Sequence, residues 1–184
     1  MKPYAVALTL LLMCLHTLAA EPAAEPLSFS AVVPVEGASQ AELFNRAQAW
    51  FATTFNCGKC VIQTSDKEAG QIIGRGLFEY ESATFMSGEA IRGSVSYLVK
   101  VFVKEGRYKC EITDFTHQSS ALKYPMSFGL ITNDERYPDI RYCTKGICGK
   151  NWQKMKLDSE MHAKSLMESL SKAMSVPAAG KADW

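Results

Sequence analysis

Histidine is scarce in this chain, three in 184 residues, and only His117 and His162 lie beyond the first twenty positions. No histidine pair has metal-ligand spacing, no Gly-x-Ser-x-Gly occurs, and no glycine-rich loop is placed to cradle a phosphate. Gly74-Arg75-Gly76 falls inside a strand pattern, where such glycines mark a bulge or a close helix contact. His117 lies near Asp114, Ser119 and Ser120 only by sequence proximity, and catalytic triads are assembled by tertiary geometry instead. The chain also lacks an excess of either charge. Lysine and arginine number 20 against 19 acidic residues, and without Lys2 the balance is 19 to 19. A neutral chain has no electrostatic footprint for nucleic acid. No apolar run reaches the ~20 residues a membrane-spanning helix needs. No catalytic residue, cofactor or metal is therefore expected.

The first segment is more informative. Lys2, the apolar run Tyr4 to Leu15 and the small residues Ala19-Ala20 read as a secretory signal peptide over 1–20, closed by Glu21-Pro22. The expectation is an exported protein, periplasmic or extracellular. Residues 21–26 alternate Pro, Ala and Glu as a disordered linker, 27–175 form one domain, and 176–184 form a disordered tail.

The order of elements follows from periodicity. Leu27, Phe29, Ala31, Val33 and Val35 recur at period two and predict a strand with one buried face. Pro34 cannot donate to a ladder, which places that strand at a sheet edge. Ser39-Gln40-Ala41-Glu42 is a capping box, and Leu43, Ala47, Trp50, Phe51 and Phe55 give the helix behind it a single apolar stripe. Strands are expected over Val61–Thr64, Gln71–Tyr80, Ser94–Lys104 and Arg107–Phe115. The last two form a hairpin about Glu105-Gly106, with Val103 opposite Tyr108, Val101 opposite Cys110, Val99 opposite Ile112, and Lys100 opposite Glu111 on the other face. Slipping by one residue would set valines against lysines, so the pattern fixes the register. A second helix runs from Asp158 or Ser159 to Ser175, with Ala163, Leu166, Met167, Leu170, Ala173 and Met174 on one face.

Strand, helix, four strands and helix, each helix with one apolar stripe, give an α+β domain of order β-α-β-β-β-β-α: an antiparallel sheet of about five strands with both helices on one face. The helix Ala41-Glu42-Leu43-Phe44-Asn45-Arg46 reaching Trp50, the segment Gly70-Gln71-Ile72-Ile73-Gly74-Arg75-Gly76, and Tyr97 to Val101 leading to Lys104-Glu105-Gly106-Arg107-Tyr108 resemble a family of secreted bacterial domains of unknown function with a TBP-like fold. The resemblance implies that fold and brings no catalytic residues. It carries no expectation of DNA binding, since fold alone does not set function.

Five cysteines follow the signal segment. Cys110 points into the core as a buried free thiol. Cys57, Cys60, Cys143 and Cys148 are expected as disulfides in an exported protein, with a four-sulfur zinc site the lesser reading. Local pairs would each contribute roughly 2 kcal/mol, and bridges between the two segments roughly 4.5 kcal/mol. A thioredoxin-type role for Cys57-Gly58-Lys59-Cys60 is disfavoured because the motif follows a helix, where the dipole raises a thiol pKa. The segment 116–151 reads as a long loop insertion whose apolar residues cover the sheet face opposite the helices. That face would otherwise show Leu98, Phe102 and Phe115 among Lys100, Lys109 and Glu111, and these three are the candidate partner face. The function expected is a non-enzymatic, envelope-associated binding module for a protein, a glycan or a small apolar ligand. The alternatives are a thiol-disulfide redox protein using Cys57 and Cys60, or a lipid carrier with a pocket under the Met-rich final helix.

Overall fold

A computed structural model describes residues 24–55, 61–85 and 88–175. The signal segment 1–20, Cys57 and Cys60, and the tail 176–184 lie outside the described residues. Chain order is β1 (Phe29–Pro34), α1 (Gln40–Thr54), β2 (Ile62–Asp66), β3 (Gln71–Tyr80), α2 (Gly88–Ile91), β4 (Gly93–Lys104), β5 (Arg107–Ser119), β6 (Gly129–Leu130) and α3 (Lys145–Ser175). The strands form one antiparallel sheet in the order β1-β5-β4-β3-β2, with β6 beside the far end of β5. The first strand lies outermost, the position that tolerates Pro34. The hairpin register is the one the sequence predicts, Val103↔Tyr108, Val101↔Cys110, Val99↔Ile112 and Lys100↔Glu111.

The two long helices, α1 and α3, pack on one face of the sheet. Ser39 caps α1 by accepting the Glu42 N–H at 3.2 Å, while the Glu42 carboxylate turns to Arg46 one turn on instead of reaching back. Arg46 also donates to the Met174 carbonyl, and Trp50 Nε1 donates to Ser169 Oγ at 2.9 Å, so α1 is tied to the last turns of α3. Leu43, Phe44, Ala47, Trp50 and Phe51 are buried against Ile72, Val99, Val101 and Ile112 in the core.

Two sequence expectations change. The final helix begins at Lys145, well before Asp158, because its buried stripe starts with Cys148, Asn151, Trp152, Met155 and Ser159. Two polar residues in that stripe hide its helical period from a hydrophobicity reading. The 116–151 insertion is correspondingly shorter: β5 runs to Ser119, β6 interrupts the loop, and α3 ends it.

The glycines of β3 mark close contacts, as the strand pattern implies. A β-carbon at Gly76 would lie 2.5 Å from the Tyr97 ring, and one at Gly74 would lie 2.6 Å from the Phe51 ring. Tyr97 is held in place by a 2.8 Å hydrogen bond between its hydroxyl and His162 Nε2. We expect Gly76→Ala to lower stability by about 1–2 kcal/mol through overpacking, against the usual gain from removing a strand glycine. Thermal melting checks this, and an unchanged midpoint would mean that the Tyr97 ring moves aside freely.

Candidate functional site

Because side chains alternate along each strand, the residues not aimed at the helices stand together on the other side of the sheet. Their order across the strands follows from the registers. One rung runs Gln71, Phe102, Lys109, Val32, and the next Ile73, Lys100, Glu111, Ser30. A third places Arg75 beside Leu98, and at the hairpin end Lys104 faces Arg107, with Pro34 beyond. The two long helices, α1 and α3, lie on the opposite side, and no described helix packs over this face, although Thr113 beside Leu98 is only 6% exposed. Val32 is 64% exposed and Leu77 62%, while Leu98 and Phe102 are half-buried among their neighbours.

Charge on this face is unevenly matched. Glu111 is the common acceptor for Lys109 at 2.8 Å and Lys100 at 3.1 Å. The Lys109 ammonium, with Lys100 behind it, holds the Glu111 carboxyl below the usual range. Lys109 also stands 6.0 Å from the centre of the Phe102 ring. Lys104 and Arg107 have no ion-pair partner among the described residues, and they face each other directly across the hairpin. Like charges so placed oppose pairing. The acid of the turn is used elsewhere, since Glu105 accepts the Gln40 N–H at 3.0 Å. A depression of about 580 Å³ opens here, lined by Val32, Phe102, Lys104, Arg107, Tyr108 and Lys109.

Of the three residues expected on the partner face, Leu98 and Phe102 stand there and Phe115 does not. Phe115 is fully buried on the helix side, 5.9 Å from the Phe29 ring centre and 5.7 Å from that of Tyr97. The cause is a bulge. The β4–β5 register shifts between Ser96 and Leu98, where Asp114 adopts a left-handed φ of 57°, and the extra residue reverses the alternation beyond Thr113. Phe115 and His117 thereby turn inward. The loop does not cover the outer face either: Phe128 stacks on Trp152 of α3 and meets the His117 ring edge-on, which closes the end of the core on the helix side.

Cys143 and Cys148 are joined in a disulfide across the start of α3, and Cys110 is a buried free thiol whose pKa burial pushes up to about 12. No cluster of three metal-ligating side chains occurs among the described residues. His162 is half-buried against Phe78 and Tyr97. Between the sheet and α3, Met155, Leu170 and Met174 are fully buried and fill the space a lipid carrier would need. A groove of about 610 Å³ does open beside β3, where Phe55, Val61, Tyr97, His162 and Leu166 are among its lining.

Sequence reading missed a buried polar hub. Asn151 Oδ1 accepts from the Tyr80 hydroxyl at 2.9 Å, the Ala83 N–H at 2.9 Å and Ser82 Oγ at 3.1 Å. Its Nδ2 donates to the Ile147 carbonyl at 2.9 Å. The hub fixes the strap 81–85 that leaves β3, beside a cleft of about 900 Å³ whose lining includes Phe85, Arg92 and Tyr124. An asparagine between Cys148 and Met155 in a mostly apolar helical stripe, at i+3 from Cys148, was the available signal.

Comparison with known proteins bears on the sheet and its faces. Residues 29–118, from β1 through nearly all of β5, match the family described as a domain of unknown function (DUF4468) with TBP-like fold. The structure is similar to a TBP-like protein from Parabacteroides distasonis, with a TM-score of 0.55 at 15% identity over 79% of this chain and 93% of that one. It is also similar to a DUF4468 family protein from Bacteroides ovatus, with a TM-score of 0.57 at 19% identity over 84% of this chain and 89% of that one. At these identities the likeness concerns the fold. None of the curated proteins matches the chain. No helix among the described residues is long and apolar enough to cross a membrane.

Proposed function

We propose that this chain, whose residues 29–118 form a DUF4468 domain of TBP-like fold, is an exported, non-enzymatic binding module that meets its partner through the outer face of its sheet. The observation that carries this reading is the uncovered face itself. It sets Val32, Leu77, Leu98 and Phe102 toward solvent while the other face holds two helices and the core. Exposed apolar side chains set among Arg75, Lys100 and Lys109 make a mixed surface of the kind protein interfaces use. The face is broad and open, which favours a macromolecular partner over a small ligand, because small molecules are taken in concave sites that enclose most of their surface. Export rests on the signal-like segment 1–20 and agrees with the Cys143–Cys148 disulfide.

A photo-crosslinking residue placed at Leu77, on the outer face, is expected to give an adduct of discrete mass in the envelope of producing cells. The same residue at Met161, 55% exposed on α3, is expected to give none. Equal labelling from both positions, or none from Leu77, would overturn the reading.

A further inference from the structure

We infer that the hairpin end of the outer face takes an acidic, extended segment of a partner protein, one that sets carboxylates beside Lys104, Arg107 and Lys109 and an apolar side chain against Val32 and Phe102. The inference rests on the binding-module reading and adds the chemistry of the partner. Three cations occupy two successive rungs of the sheet there, Lys104↔Arg107 and Phe102↔Lys109, and β1 answers them only with Pro34 and Val32. Glu111 is shared between Lys100 and Lys109, and Glu105 is engaged at the start of α1, so neither carboxylate reaches Lys104 or Arg107. A chain balanced to within one charge thus keeps two cations directly opposed without a counterion among the described residues. The free protein carries that repulsion, and an incoming carboxylate relieves it.

Shape narrows the class. The apolar floor of Val32 and Phe102 lies in a depression of about 580 Å³ bordered by the longer cationic side chains. A flat bilayer would need the apolar residues to project beyond the cations, as in amphipathic surface helices. A strand-like peptide whose every second residue is in turn acidic and apolar presents both chemistries on the side that faces the sheet. No bend or groove of a duplex is required, and the patch is too small for the multiple phosphate contacts that dominate nucleic-acid affinity.

The test uses the full chain and a synthetic peptide that carries Glu and Leu in turn at every second position, with Ser between them. Phosphatidylglycerol vesicles and polygalacturonate serve as the competing anions. Backbone NMR shifts on titration are expected at Val32 and across Phe102 to Lys109, with binding that weakens as salt rises. The double variant Lys104→Glu, Arg107→Glu should fold as the parent does and bind the peptide about tenfold more weakly or worse. Its Leu77 crosslink should be lost as well. Tighter binding to vesicles or polygalacturonate than to the peptide would overturn the peptide assignment, as would a peptide affinity unchanged by the charge reversal. If the peptide fails to bind and the Leu77 crosslink survives the double variant, the acidic-partner inference falls and the module reading stands. Absence of that crosslink in the parent would defeat the module reading itself.

Discussion

Asn151→Leu is expected to lower the unfolding free energy by about 3 kcal/mol and the melting temperature by roughly 10 °C. Leucine shares asparagine's branching and forms helix more readily, so propensity accounts for no loss, but its methyl groups are bulkier than the amide and crowd atoms that now stand at hydrogen-bond distance. What is removed is the acceptor that Tyr80, Ser82 and the Ala83 N–H share, at a position with no exposure to solvent. Tyr80 keeps a 3.2 Å bond to the Asn151 carbonyl, and Ser82 keeps Thr84, but the Ala83 N–H is left without its partner. Ala83 is itself exposed, so water takes up part of its N–H and that loss costs only about 1 kcal/mol; the leucine methyls crowding the site and the released strap supply the rest. Asn151→Asp sharpens the test. It preserves the acceptor but places a carboxylate in the core and loses the donation to Ile147. Relative to the parent at each pH, that variant should be destabilised at neutrality and recover part of the loss as acid protonates the carboxyl. Limited proteolysis should cut both variants first within 81–85. Unchanged melting of Asn151→Leu would show that the strap is held by its neighbours instead.

The same hub shows where the sequence was legible and where it was not. The β4–β5 hairpin could be read to the residue, because Val99, Val101 and Val103 alternate with Lys100 and Phe102 and leave one register that buries the valines. Helix α1 was equally plain, since its cap and its apolar stripe agree. The first half of α3 was hidden because Asn151 and Ser159 occupy buried positions, and a hydrophobic pattern registers only apolar ones. Phe115 was assigned to the wrong face for a local geometric reason. Period-two alternation was carried through Asp114, where one extra residue reverses it, and Asp is among the few residue types that adopt a left-handed φ readily enough to do so without glycine. The outer face was found from Leu98 and Phe102 alone. Its unmatched cations were not, because neutrality counted over the whole chain conceals which strand each charge stands on.

Acid should destabilise the fold by up to about 3 kcal/mol through His117 alone. His117 links three segments: Nδ1 accepts the Phe128 N–H at 3.1 Å and Nε2 donates to the Ile91 carbonyl at 2.9 Å, which fixes one neutral tautomer. Burial outweighs the bond to Ile91 and pushes its pKa down to about 4 from 6.5. Between those values the unfolded chain binds a proton that the folded protein refuses. The contribution is therefore complete above about pH 6.5, falls as pH is lowered, and is exhausted near pH 4. A protonated ring would present an N–H to the Phe128 N–H, so the loop carrying β6 should loosen with it. His117→Gln keeps a donor and an acceptor but does not titrate. It should be less stable than the parent at neutral pH, because a flexible amide replaces a ring packed 5.2 Å from Tyr80 and 5.6 Å from Phe128. Its stability should also vary less between about pH 7 and pH 5. His162, likewise lowered by burial, and Glu111 titrate in both proteins, so the difference between their urea-unfolding profiles isolates His117. Parallel profiles would mean that Phe128 and Ile91 part from the ring before it takes up its proton, and the link between the loop and β5 would then be one of packing alone.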